Sequence, residues 1–136
     1  MKAKRLWFDD SSIFIETDGG EILSQSLRWY PILRNASAQE RQEYRFTDEG
    51  IRWVGIDEDI SLESFGYDNP AGKTKLRLFF DTVPELNVSK VAARMGIPQS
   101  VFASYLCGAK TPSEARVREI EKTIHELGRE LLAASL

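Results

Sequence analysis

The stretch Gly96 to Gly108, GIPQSVFASYLCG, constrains the fold more than any other part of the chain. It follows NVSKVAARM, in which Asn87 is placed to cap a helix whose one face carries Val88, Val91, Ala92 and Met95. Gly96 ends that helix, and Pro98 forces Ile97 out of the helical region before a second short helix starts. Val101, Phe102, Tyr105 and Leu106 form the predicted buried stripe of the second helix, and Gly108 stops it. Two short helices joined by so tight a turn are a helix-turn-helix unit, whose second helix is often built to enter the major groove of DNA.

The flanking sequence supplies more helix. Leu76, Phe79, Phe80 and Val83 have helical spacing, although Leu76, Leu78 and Phe80 also alternate as in a strand. Thr111-Pro112-Ser113-Glu114 is a dense helix start, read with proline in the first turn. The helix from Ser113 to about Ala134 carries Val117, Ile120, Ile124, Leu127 and Leu131 on one face. At roughly 30 Å it is longer than so small a domain needs. Its far end, Leu127 to Leu132, is therefore expected to pack on the N-terminal domain or on a second chain.

The first half reads differently. LWF, SIFIET and GEILSQSLRW are predicted strands, with Asp9-Asp10-Ser11 and Asp18-Gly19-Gly20 as turns. Ser37 and Glu40 form a capping box that opens a helix over AQERQEY, and further strand follows at IRW and near Ile60 and Leu62. SFGYDNPAGK concentrates turn residues, which divides the chain into an α+β domain at 1–65, a linker at 66–73 and an all-α domain at 74–136. Charge divides it too. Residues 1–70 carry 8 Lys/Arg against 14 Asp/Glu, a balance of −6, and residues 71–136 carry 10 against 7, a balance of +3. An acidic half beside a basic one suits a DNA-contacting module joined to something that does not touch DNA.

Two resemblances sharpen these expectations. Residues 74–134, through Val91-Ala92, Gly96-Ile97, Gly108 and Pro112, resemble the helix-turn-helix of the phage lambda repressor (XRE-type) superfamily. The resemblance implies that Gln99 and Ser100, with Ala103 and Ser104 one turn on, face base edges. A glutamine amide can indeed bond both N7 and N6 of adenine. Lys90, Arg94 and Lys110 are the candidate phosphate contacts, with Lys73, Lys75 and Arg77 beside them. Residues 3–65, through LWFDD, Trp29-Tyr30-Pro31, Arg34-Asn35-Ala36, Trp53 and Asp57-Glu58-Asp59, resemble the DUF2442 type, whose members often stand as proposed antitoxins beside a small toxin.

Other classes of function find little footing. Cys107 and His125, the only residues of their types, cannot assemble a Cys/His zinc site. Asp57, Glu58 and Asp59 read as an exposed acidic turn able to attract a basic toxin, and a hydrolase would need Asp57 or Asp59 to converge with distant carboxylates. Trp7, Trp29, Trp53 and Tyr30 read as sheet core and rim, and His125 as a surface or interface residue. No apolar run approaches membrane-spanning length, and MKAKRLWFDD reaches acidic residues too soon for a secretory signal to be expected there. The expectation is a cytoplasmic, homodimeric transcriptional regulator that binds double-stranded DNA, has no cofactor and is not an enzyme. The competing expectation is an antitoxin or adaptor module whose helix-turn-helix no longer binds DNA.

Overall fold

The computed structural model describes residues 2–66 and 74–136. The proposed linker falls almost wholly outside the described residues, as does Lys73. The N-terminal half is α+β and contains two small sheets, not one. The first is an antiparallel meander of β1 (Ala3–Phe8), β2 (Ser12–Thr17) and β3 (Ile22–Ser26). β2 buries alternate residues, Ile13 and Ile15 together with Thr17, as a half-buried strand must. On its other face Phe14 stacks on Trp7 with ring centroids 5.6 Å apart.

The predicted strand over SLRW does not continue past Ser26. The Ser26 side chain accepts a hydrogen bond from the Arg28 amide and turns Leu27–Trp29 into a 3-10 turn. Two short helices follow, α1 (Pro31–Arg34) and α2 (Ala38–Gln42), the second opened by the Ser37/Glu40 capping box in both of its bonds. The second sheet is the meander β4 (Arg45–Phe46), β5 (Gly50–Trp53) and β6 (Glu58–Ser61), closed by a 3-10 turn at Leu62–Gly66. In its register Ile51 faces Ile60 and Trp53 faces Glu58.

The C-terminal half is helical: α3 (Lys75–Thr82), α4 (Val88–Met95), α5 (Gln99–Cys107) and α6 (Glu114–Ala133). The helical period thus prevails over the alternative strand at Leu76–Phe80, with Thr74 capping α3 through the Arg77 amide. Gly96 and Gly108 end α4 and α5 at φ of 72° and 82°, a region where a side chain is strained. α6 begins two residues later than Thr111-Pro112 suggests, because the Ser113 hydroxyl, and not Thr111, accepts from the Arg116 amide.

One contiguous hydrophobic core runs through both halves, from Leu6, Ile15 and Tyr30 through Trp53, Ile60 and Phe65 to Phe80, Val88, Phe102 and Ile120. The helices cover the apolar faces that the two small sheets cannot cover for themselves.

Two glycines separate close approach from open space. A Cβ on Gly50 would lie 2.3 Å from the Ile60 carbonyl oxygen, so Gly50→Ala must push β5 from β6. We expect a loss of about 1–3 kcal/mol in urea unfolding. A Cβ on Gly128, within α6, meets nothing within 4 Å, and Gly128→Ala should raise stability by about 0.5–1 kcal/mol.

Candidate functional site at the seam between sheets and helices

α5 would have to present its first turn to solvent in order to read a base. In this structure that turn packs against β6. Ser100 and Ser104 are buried, Ser104 completely, and Gln99 and Ala103 are half-buried. The residues packed around the start of α5 are β6 and the 3-10 turn that follows it, and the polar groups there close into a ring. The Ser61 amide donates to Gln99 Oε1 at 3.0 Å. Gln99 Nε2 donates to Tyr30 Oη at 2.6 Å, and Tyr30 Oη to Gln25 Oε1 at 2.6 Å. Gln25 Nε2 donates to Ser64 Oγ at 2.8 Å, and Ser64 Oγ returns to the Ser61 carbonyl at 2.6 Å. Because the Ser61 N–H can only donate and its carbonyl can only accept, the direction of every bond and the orientation of both amides are fixed. Burial, and behind it the charge of Glu58, hold the Tyr30 phenol well above its ordinary pKa, so it stays a donor.

A second cluster fastens the start of α4. Asn87 was legible as a helix cap, but its side chain does not cap α4. Its Oδ1 accepts from the Ile32 amide at 3.1 Å, and its Nδ2 donates to Glu58 Oε2 at 2.9 Å. Ser89 Oγ donates to Glu58 Oε1, which also accepts from the Asp59 amide at 2.8 Å. Glu58 is thus not part of an exposed acidic turn: it is 0% exposed, and burial raises its pKa above the ordinary 4.5. The signal was present in the sequence, since Glu58 stands two residues before the core residue Ile60 and shares its face of the strand.

Asp57 and Asp59 do face outward, and they converge on cations, not on other carboxylates. Arg52 bonds Asp59 at 2.7 Å and Asp57 at 2.9 Å, and Lys90 reaches Asp57 Oδ2 at 3.0 Å. The hydrogen bond from Lys90, then that from Arg52, lowers the Asp57 pKa below 3.8. Asp57 holds a left-handed φ of 51°, which turns its carbonyl toward Lys90 as well. Of the residues expected to touch phosphate, Lys90 is therefore engaged by Asp57, and Arg94 pairs with Glu130. Lys110 is exposed, and its side chain has no partner among the described residues.

More ties cross the same seam. Arg28 pairs with Asp81 at 2.9 Å, and Arg34 donates to the Pro84 carbonyl at 3.2 Å. Cys107 is buried at the end of α5. At the far end of α6, Leu127 is half-buried and lines a pocket with Pro31 and Ile32 of the N-terminal half, whereas Leu131 and Leu132 are 77% and 88% exposed. His125 is exposed.

Comparison with protein-family models finds that residues 3–66 match the family described as a protein of unknown function, DUF2442. Comparisons with curated proteins and with solved structures find no match. No helix among the described residues is long and apolar enough to cross a membrane.

The ring gives Gln99 a folding role. Gln99→Ala strands the Ser61 amide and removes a donor from Tyr30, and should cost about 1–3 kcal/mol in urea unfolding. Glu58 sets a pH dependence of definite sign. Its pKa is raised in the folded chain, so the folded state holds the proton more tightly than the unfolded one. Its stabilising contribution is complete below 4.5 and is lost as pH rises through the folded value. Comparing urea midpoints of wild type and Glu58→Gln across that window should show this component only in the wild type. Asp57 works in reverse, contributing above 3.8 and losing that contribution as pH falls.

Proposed function

We propose that this chain is a protein-interaction module of antitoxin or adaptor type, in which α4 and α5 buttress the two sheets instead of reading DNA. The carrying observation is the hydrogen-bonded ring through Gln99, which seals the first turn of α5 against β6. Presenting Gln99, Ser100 and Ser104 to base edges requires opening that ring and exposing Ser100 and Ser104, both buried. It also parts Val88, Phe102 and Leu106 from a core shared with Ile60 and Phe65. A base contact returns about 1–3 kcal/mol of discrimination, which the lost ring and core contacts exceed. The ion pairs of Lys90 and Arg94 further reduce the charge available for phosphate.

A DNA-binding autoregulator is the second reading. Its specific support is the pair α4 and α5 around left-handed Gly96, together with the basic balance of the C-terminal half. A homodimer belongs to either reading, with exposed Leu131 and Leu132 as the surface available to a second copy.

Selection of duplexes from a randomised pool by the full chain distinguishes the two readings. The interaction module should enrich no sequence, and any weak association should fall steeply with salt and be unaltered by Gln99→Ala. An enriched sequence, bound through Gln99 by a variant that remains folded, would sink the proposal. Sedimentation of Leu131→Asp reads the dimer separately: fewer dimers with unchanged unfolding are expected, since the side chain is exposed.

A further inference from the structure

We infer that the groove between α3 and α6 receives an acidic amphipathic helix of a partner protein; this rests on the interaction-module reading and names the chemistry of the partner. The groove encloses about 570 Å³, and its apolar lining includes Leu76 and Phe79 from α3, Tyr105 from α5, and Val117, Ile120 and Ile124 from α6. Phe79 and Val117, one on each wall, are 37% and 38% exposed. An open apolar trough between helices is the form in which an amphipathic helix docks, through side chains spaced i, i+4 and i+7. From Val117 to Ile124 the wall rises about 10 Å, the length of two helical turns.

Charge selects the occupant. Lys75 and Lys110 stand in the lining, and Arg118, Lys122 and Arg129 run along the adjoining surface of α6. None of these five has a side-chain partner among the described residues. Six other cations, Arg5, Arg28, Arg52, Lys90, Arg94 and Arg116, sit in ion pairs, whereas Lys2, Arg34, Arg41 and Arg45 of the N-terminal half have none among the described residues. Glu121 is the single acid among the described residues of the groove lining. Around the apolar groove walled by α3 and α6, five cations without an ion pair thus stand against one acid among the described residues, and an apolar helix edged with Glu or Asp complements both groove and charge.

A second copy fits less well. Two α6 helices paired antiparallel about a two-fold axis bring the same flank of each together, so Arg118, Lys122 and Arg129 would confront their own copies. Duplex DNA shares the charge of the proposed partner but has no apolar anchors for Phe79 and Val117.

Fluorescence anisotropy with synthetic labelled helices tests the inference on the full chain. One peptide carries Leu at i, i+4 and i+7 with Glu on both edges; its counterpart carries Lys in place of Glu. The acidic peptide should bind, at least about tenfold more tightly than the basic one, and should weaken between about 50 and 300 mM salt. Val117→Asp should weaken it about tenfold or more without altering thermal unfolding, and Lys110→Glu about fivefold. Equal binding of both peptides, indifference to Val117→Asp, displacement of the peptide by duplex DNA, or conversion of a dimer to monomers by Val117→Asp would each overturn the assignment. Failure of the interaction-module reading itself would be seen on another face, as sequence-specific duplex binding that depends on Gln99.

Discussion

The obligation to satisfy buried polar groups organises this molecule. Neither three-stranded sheet can bury its own apolar face, so the helices must close over them, and in doing so they cover the end of β6, where Ser61 still needs partners. Gln99 supplies the acceptor for the Ser61 amide, and Tyr30, Gln25 and Ser64 complete the circuit. Any lost member leaves a donor or acceptor in a place that water reaches poorly, and such a group costs more than an ordinary hydrogen bond contributes. The position of α5, the burial of Ser104 and the closure of the core around Phe102 all follow from this junction.

The seam also explains how charge is distributed. Where the acidic N-terminal half meets the basic C-terminal half, opposite charges find one another across the boundary: Asp57 with Lys90, and Arg28 with Asp81. The overall asymmetry, which viewed alone suggests a DNA-facing surface, is thus partly consumed inside the chain. Lys75, Lys110, Arg118, Lys122 and Arg129, which have no ion pair among the described residues, lie along α6 and beside the groove that it forms with α3. A charge balance counted along a sequence cannot distinguish these cases, because it does not say which cations already have neighbours.

Much of the fold was legible because local chemistry decides it. The Ser37/Glu40 capping box, the left-handed stops at Gly96 and Gly108 and the alternation of Ile13 and Ile15 each act within a few residues. The strand at SLRW was misread because the Ser26 hydroxyl competes for the Arg28 amide, a bond that hydrophobic pattern does not reveal. The seam was less legible for a different reason. Gln99 and Ser100 fit equally well facing a base or facing Ser61, and only the position of β6, 38 residues away in the chain, chooses between them. Two signs were available: Ser104 and Cys107 are small and tolerate a close neighbour, and Glu58 shares its strand face with Ile60.

The ring of bonds through Ser61 has a direction. Its starting N–H and its closing carbonyl belong to the backbone of one residue, which no substitution but proline alters, so the four side chains between them must hand hydrogen around in one sense only. Three of these side chains come from the sheet half and one from the helical half. A helical domain lacking an amide at the place of Gln99 could not be grafted onto this sheet half without leaving the Ser61 amide bare. Although the chain reads as two modules in a row, its halves are therefore not interchangeable parts, and positions 25, 30, 64 and 99 are bound to vary as one set.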